Sequence, residues 1–86
     1  MITATVKKKI TSTLGKQYSR AIIARLVENE IFNENNEPYS PASIQMIVNG
    51  QRENLDVELE ILALVSETLA FKKKLKKETS KILKNQ

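Results

Sequence analysis

The chain has no cysteine and no histidine, only two glycines and two prolines, no tryptophan, and 5% aromatic residues in its 86 positions. Without cysteine there is no disulfide framework and no thiolate metal site. Without histidine the usual general base and the commonest transition-metal ligand are missing, so the sequence reads as that of a non-enzyme without a cofactor. Scarce glycine and proline leave long stretches of Leu, Ile, Lys and Glu uninterrupted, which favours helices over a strand-rich sandwich. The first ten residues hold no long apolar run, because Lys7, Lys8 and Lys9 break them up. Neither a signal segment nor a membrane span is expected there, and the expected setting is cytoplasmic, with no membrane partner and no small-molecule substrate.

With 41% hydrophobic residues, a chain of this length can fill one core and not two. Its charge is unevenly spread. Residues 28–37 carry Glu28, Glu30, Glu34 and Glu37 and no base, whereas residues 72–84 carry Lys72, Lys73, Lys74, Lys76, Lys77, Lys81 and Lys84 against Glu78. A polyanion would be repelled at one place and attracted at another.

Ile2, Val6, Ile10 and Leu14 recur every four residues and predict one side of a first helix, closed by Gly15. Ser19 offers a capping hydroxyl for a second, whose apolar face is Ile22, Ile23, Leu26 and Val27. Periodicity is then lost from Ile31 to Tyr39. Asn33, Glu34, Asn35, Asn36, Glu37 and Pro38 are turn formers, and Phe32 and Tyr39 at the two ends allow a small hairpin-like finger pinned by an aromatic pair. Calcium does not suit this loop, which lacks the central glycine and terminal glutamate of an EF-hand.

Ser40–Pro41 is a helix start with a mechanism. The hydroxyl caps an orphan amide, and proline at the first helical position has no amide to lose. Asn49–Gly50 ends this third helix after about two turns. Asn54 or Asp56 caps a fourth, with Asp56, Glu58 and Glu60 at its positive end and Val57, Leu59, Ile61, Leu62, Leu64, Val65 and Leu69 within it. Nothing in the sequence decides whether it continues to the C-terminus or gives way to a fifth helix. Ile61, Thr68, Leu75 and Ile82 fall seven apart with Leu64 and Phe71 between them, which suits a dimer seam or packing within one chain. The lysine run beside them reads first as a solvated face, and second as a holder of phosphates or an acidic membrane surface.

A turn of 100 degrees per residue places Ile44, Ile47 and Val48 on one side of the third helix and Ala42, Gln45, Met46 and Asn49 on the other, with Ser43 at the flank. A helix facing only water would carry Lys and Glu on its outer side. Short neutral residues and amides instead suit the DNA major groove: Gln45 and Asn49 can pair with adenine edges, and Ala42 and Met46 can touch thymine methyls.

Ser40, Ile44, Ile47, Asn49, Gly50 and Arg52 stand in the order found in the lambda-repressor and Cro-like helix-turn-helix superfamily. Ile23, Ala24 and Leu26 resemble that family's second helix, where a small residue lets the second and third helices cross closely. Leu59, Ile61, Leu62 and Leu64 resemble its fourth. The likeness covers residues 2–69. It implies an all-α, four- to five-helix lambda-repressor-like domain over residues 1–69, followed by a Lys-rich helical extension over 70–86. It also implies sequence-specific binding of double-stranded DNA, as a transcriptional regulator and as a homodimer. Base contacts would come from Ala42, Ser43, Gln45, Met46 and Asn49. Phosphate contacts would come from Lys16, Gln17, Ser19 and Arg20 around the second helix start, and from Ser40, Gln51 and Arg52 around the third. One departure is large. Ala24 and Ile44 are 20 positions apart, much farther than in the family. Loop closure costs only about 0.6 kcal/mol per doubling of length, so an insertion is tolerated, with its acidic tip expected to point away from DNA. The competing expectation is a protein-interaction module that uses the C-terminal helical half and touches no DNA.

Overall fold

A computed structural model describes residues 1–84, with side chains through Leu83. Over that range the chain is all-helical: α1 (Ala4–Leu14), α2 (Tyr18–Glu28), α3 (Pro41–Val48) and α4 (Leu55–Lys84), with no strand among the described residues. Residues 85 and 86 of the expected extension lie outside the described range. α4 packs against α1 and α2, while α2 also packs against α1 and α3. No helix of the described residues is long and apolar enough to cross a membrane.

Three of the four helix starts carry a side-chain cap, and two starts differ from expectation. Thr3 caps α1, its Oγ1 accepting from the Val6 amide at 3.3 Å, so Ile2 stands ahead of the helix and enters the core from the preceding segment. α2 starts at Tyr18 after Gln17, which makes no side-chain cap. Ser19 lies inside the helix, on the buried stripe with Ile22 and Leu26, so it does not cap. α3 begins as the Ser40–Pro41 pair predicts, with Ser40 Oγ accepting from the Ser43 amide at 3.2 Å. Its end is a Schellman closure: the Gly50 amide donates to Ile47 O at 3.1 Å and the Gln51 amide to Met46 O at 2.9 Å, with Gly50 at φ 77°.

Asn54 caps α4 reciprocally. Its Oδ1 accepts from the Val57 amide at 3.2 Å, while Glu58 Oε2 accepts from the Asn54 amide at 2.9 Å. Glu58 is nearly buried and also meets the Met1 amino group at 3.0 Å; that contact and the Asn54 amide hold its carboxyl below the usual glutamate range. α4 then runs unbroken to Lys84, which resolves its continuity in favour of one helix.

The core is Ile10, Ile22, Leu26, Ile44, Ile47, Val48, Val57 and Ile61, all fully enclosed, with Ile2 and Val65 at its edge. Truncating a central member such as Ile44 to alanine costs about 2–5 kcal/mol, comparable with a small domain's whole stability. Three apolar expectations are corrected. Val27 is exposed on α2, Leu59 and Leu62 are exposed on α4, and Ala24 is exposed, so it does not form the close crossing of α2 and α3. From Ala70 to Leu83 every residue of α4 is exposed, and the molecule's 54 Å long axis reflects that overhang.

Between α2 and α3 lies the twelve-residue connection 29–40. α2 closes through the Glu30 amide to Val27 O at 3.0 Å and the Ile31 amide to Leu26 O at 2.8 Å, with Glu30 at φ 58°. The finger is no strand pair. Asn33 Oδ1 accepts from the amides of Asn35 at 2.9 Å and Glu37 at 3.0 Å, and the Asn33 amide donates to Glu37 O at 2.8 Å. A single asparagine therefore gathers the turn. Tyr39 serves elsewhere, its hydroxyl accepting from Asn54 Nδ2 at 3.1 Å and joining the finger's base to the start of α4.

Candidate nucleic-acid interface

The burial of Ile44, Ile47 and Val48 fixes how α3 is rotated. It leaves Ala42, Gln45, Met46 and Asn49 exposed among the described residues. Met46, the bulkiest, is 37% exposed. This outer face carries no charge.

Beside it, Gln45 and Pro41 share one open pocket with Lys16, Gln17, Ser19, Arg20 and Ile23. The start of α2 is therefore adjacent to the outer face of α3. Lys16, Gln17 and Arg20 are exposed there. Ser19 is placed differently from its expected role: it is 8% exposed, and its Oγ is enclosed with no hydrogen-bond partner among the described residues. Its hydroxyl is not presented to a phosphate. The amide end of α2 beside it carries the partial positive charge of a helix N-terminus, which complements an anion.

Ser43 turns to the other flank of α3. It is half-buried, its hydroxyl is 3.0 Å from Ser40 Oγ, and it lines a polar pocket with Asn33, Glu34, Asn35, Tyr39, Arg52, Glu53 and Asn54. Asn33, Glu34 and Asn35 of the finger thus line the same pocket as Ser43 and Arg52. Glu34 and Glu53 in the same pocket oppose a phosphate at Arg52. Ser40 is exposed but its Oγ is already engaged as the α3 cap, and Gln51 and Arg52 are exposed beyond the glycine turn.

One group of residues forms a link between α2 and α4 that capping and periodicity alone do not single out. Arg25 spans from α2 to α4, donating to Glu67 through two nitrogens at 2.9 and 2.6 Å and to Glu60 at 3.1 Å, while Asn29 Nδ2 reaches Glu60 at 2.7 Å. The hydrogen bonds that Arg25 donates to Glu67 and then to Glu60 hold the guanidinium above its ordinary pKa, and those that Glu67 accepts from Arg25 hold the Glu67 carboxyl below its own. The seven-residue spacing of Glu60 and Glu67, two turns on one face, is the signal that marks them as a pair able to meet one cation. Arg25 is thereby committed to the fold, unlike Lys16 and Arg20. No family model, curated protein or solved structure matches this chain.

Proposed function

We propose that the chain is a sequence-specific binder of double-stranded DNA with a lambda-repressor-like helix-turn-helix, α2 and α3 forming the reading unit, and that it acts in the cytoplasm as a transcriptional regulator. The observation that supports this most is the uncharged, exposed face Ala42, Gln45, Met46 and Asn49, beside the basic start of α2 at Lys16 and Arg20. Such a face admits close approach to base edges, while the helix N-terminus and flanking cations meet the phosphates. Gln17, Gln51 and Arg52 add exposed polar contacts at the rim. The reading assigns the chain no covalent chemistry and needs no cofactor.

A short recognition helix reads few base pairs, so two copies on a two-fold site are part of the proposal. Leu55, Leu59, Leu62 and Leu69 form an exposed row on α4 at the four-three spacing of a helix-pairing seam, which supports a homodimer through that face. The same row favours a second reading, an interaction module whose α4 binds another protein.

Selection from random duplex DNA at about 0.15 M salt, followed by sequencing of the retained pool, tests the first reading. Enrichment of a short motif, palindromic if the dimer binds, is expected. An unenriched pool rejects it in favour of the interaction module.

A further inference from the structure

The stripe of α4 that packs on the core does not stop where the core stops. Ile61, Leu64, Val65 and Thr68 face the body, and Phe71, Leu75, Ile82 and Leu83 continue that side of the helix with no covering element among the described residues, each between 55% and 65% exposed. Lys72 makes the last tie to the body, its Nζ donating to Thr13 O at 2.7 Å at the end of α1. Beyond it Lys73, Lys74, Lys77 and Lys81 occupy the opposite side, and Lys76 flanks the apolar one. The overhang is therefore a basic amphipathic helix whose apolar face is about 18 Å long at 1.5 Å per residue.

The occupant of this face must offer apolar contact and negative charge together. A second copy of the segment supplies the first and fails the second: with Lys72, Lys73, Lys74, Lys76, Lys77 and Lys81 against one Glu78, two copies side by side bring together two segments of strong like charge. Duplex DNA answers the lysines and gives Phe71 and Leu75 nothing to enter. A groove on an acidic protein would take a row of apolar anchors at three- and four-residue steps, and Glu78 interrupts that row between Leu75 and Ile82.

An anionic lipid surface meets both demands without fixed register. Lysine suits it as a point charge on a long stem, able to reach headgroups while the apolar side sinks below them. We propose that α4 from Ala70 to Leu83 is a docking helix that lies flat on an anionic lipid surface, with Phe71, Leu75, Ile82 and Leu83 in the acyl boundary and the lysines at the headgroups. The absence of a spanning run is no obstacle, since a helix lying in the interface needs none.

The full chain, incubated with vesicles of phosphatidylcholine alone or with a one-third share of phosphatidylglycerol, tests this by co-sedimentation. Binding is expected to the anionic vesicles only. Two exposed-site variants divide the cause: Phe71→Ser with Leu75→Ser, and Lys73→Gln with Lys77→Gln and Lys81→Gln. Each should weaken anionic-vesicle binding by about ten-fold or more, because each removes one of two required contributions, while the thermal melting of the body stays unchanged. The proposal is overturned if the chain ignores anionic vesicles, or if the serine variant binds them as well as the parent does, which would make the attraction charge alone. It is also overturned if the serine variant dissociates an oligomer of the parent, which would assign the face to a second copy.

Discussion

The α-carbon of Gly50 lies directly against the backbone of Ile2: a Cβ at position 50 would stand 2.8 Å from the Ile2 carbonyl oxygen. That contact seats the segment preceding α1 on the end of α3, so the turn closing the candidate reading helix is held from outside as well as by its own hydrogen bonds. Gly50 meets two demands there, a φ of 77° and a close backbone approach. Gly50→Ala is expected to cost at least about 1–2 kcal/mol from the left-handed conformation alone. Gly50→Asn separates the two demands, because asparagine tolerates that conformation but still carries a Cβ. Urea unfolding should find both variants clearly destabilised. Recovery of near-parental stability with asparagine would show that the approach of Ile2 does not matter.

Glu30 holds the equivalent left-handed position at the end of α2, at φ 58°, without a glycine's freedom. It is exposed, and no hydrogen bond of its side chain is seen among the described residues. Glu30→Gly should therefore stabilise the protein by about 0.5–1 kcal/mol, the relief of conformational strain exceeding the entropy glycine adds to the unfolded chain. A higher urea midpoint with an unchanged slope is the expected result. A lower midpoint would mean that the strain at Glu30 is smaller than its angle suggests.

The link between α2 and α4 gives a pH signature. Arg25 keeps the folded-state pKa of Glu67 below its unfolded value, so the associated stability is present above the ordinary glutamate pKa of about 4.3 and is lost as pH falls through the lowered folded value. Glu67→Gln should melt at a lower temperature than the parent at pH 7. The gap should shrink as the solution is acidified and close once Glu67 is protonated in both states. A gap that stays constant from pH 7 to about pH 3 would place the variant's effect in packing and not in the ion pair.

How much of this was legible in the sequence depended on whether a residue's role is local. The bounds of α3 follow from Ser40, Pro41, Asn49 and Gly50, whose capping and turn chemistry act within a few residues, and the helix runs between them as read. The start of α2 went to Ser19 on capping propensity. The competing signal was the three- and four-residue spacing of Ser19, Ile22 and Leu26, which puts the hydroxyl on the buried stripe. For α4, composition showed many apolar residues without showing which of two stripes other helices cover. Val57, Ile61 and Val65 are enclosed, while Leu55, Leu59 and Leu62 are left outside. The ties from Arg25 to Glu60 and Glu67, and from Tyr39 to Asn54, join distant segments, and no local rule selects those partners.

The proposed DNA contacts predict two different consequences for two exposed residues. Gln45 projects from the uncharged face of α3, so Gln45→Ala should change which base is preferred at one or two positions, by about 1–3 kcal/mol of discrimination, and leave binding to unrelated sequences nearly as it was. Arg52 lies past the glycine turn, so Arg52→Ala should weaken all sequences together and reduce the log-log salt dependence by about one phosphate's share. The acids lining the pocket with Arg52 sharpen that test. Glu34→Gln should strengthen binding of every sequence if a phosphate docks beside Arg52, because it removes a repelling charge from the same pocket. Competition titrations with specific and random duplexes at two salt concentrations read all three. If Arg52→Ala and Glu34→Gln are both silent while Gln45→Ala shifts preference, the duplex is held by the α2 side alone, through Lys16 and Arg20. If all three are silent, α3 is not the reading helix.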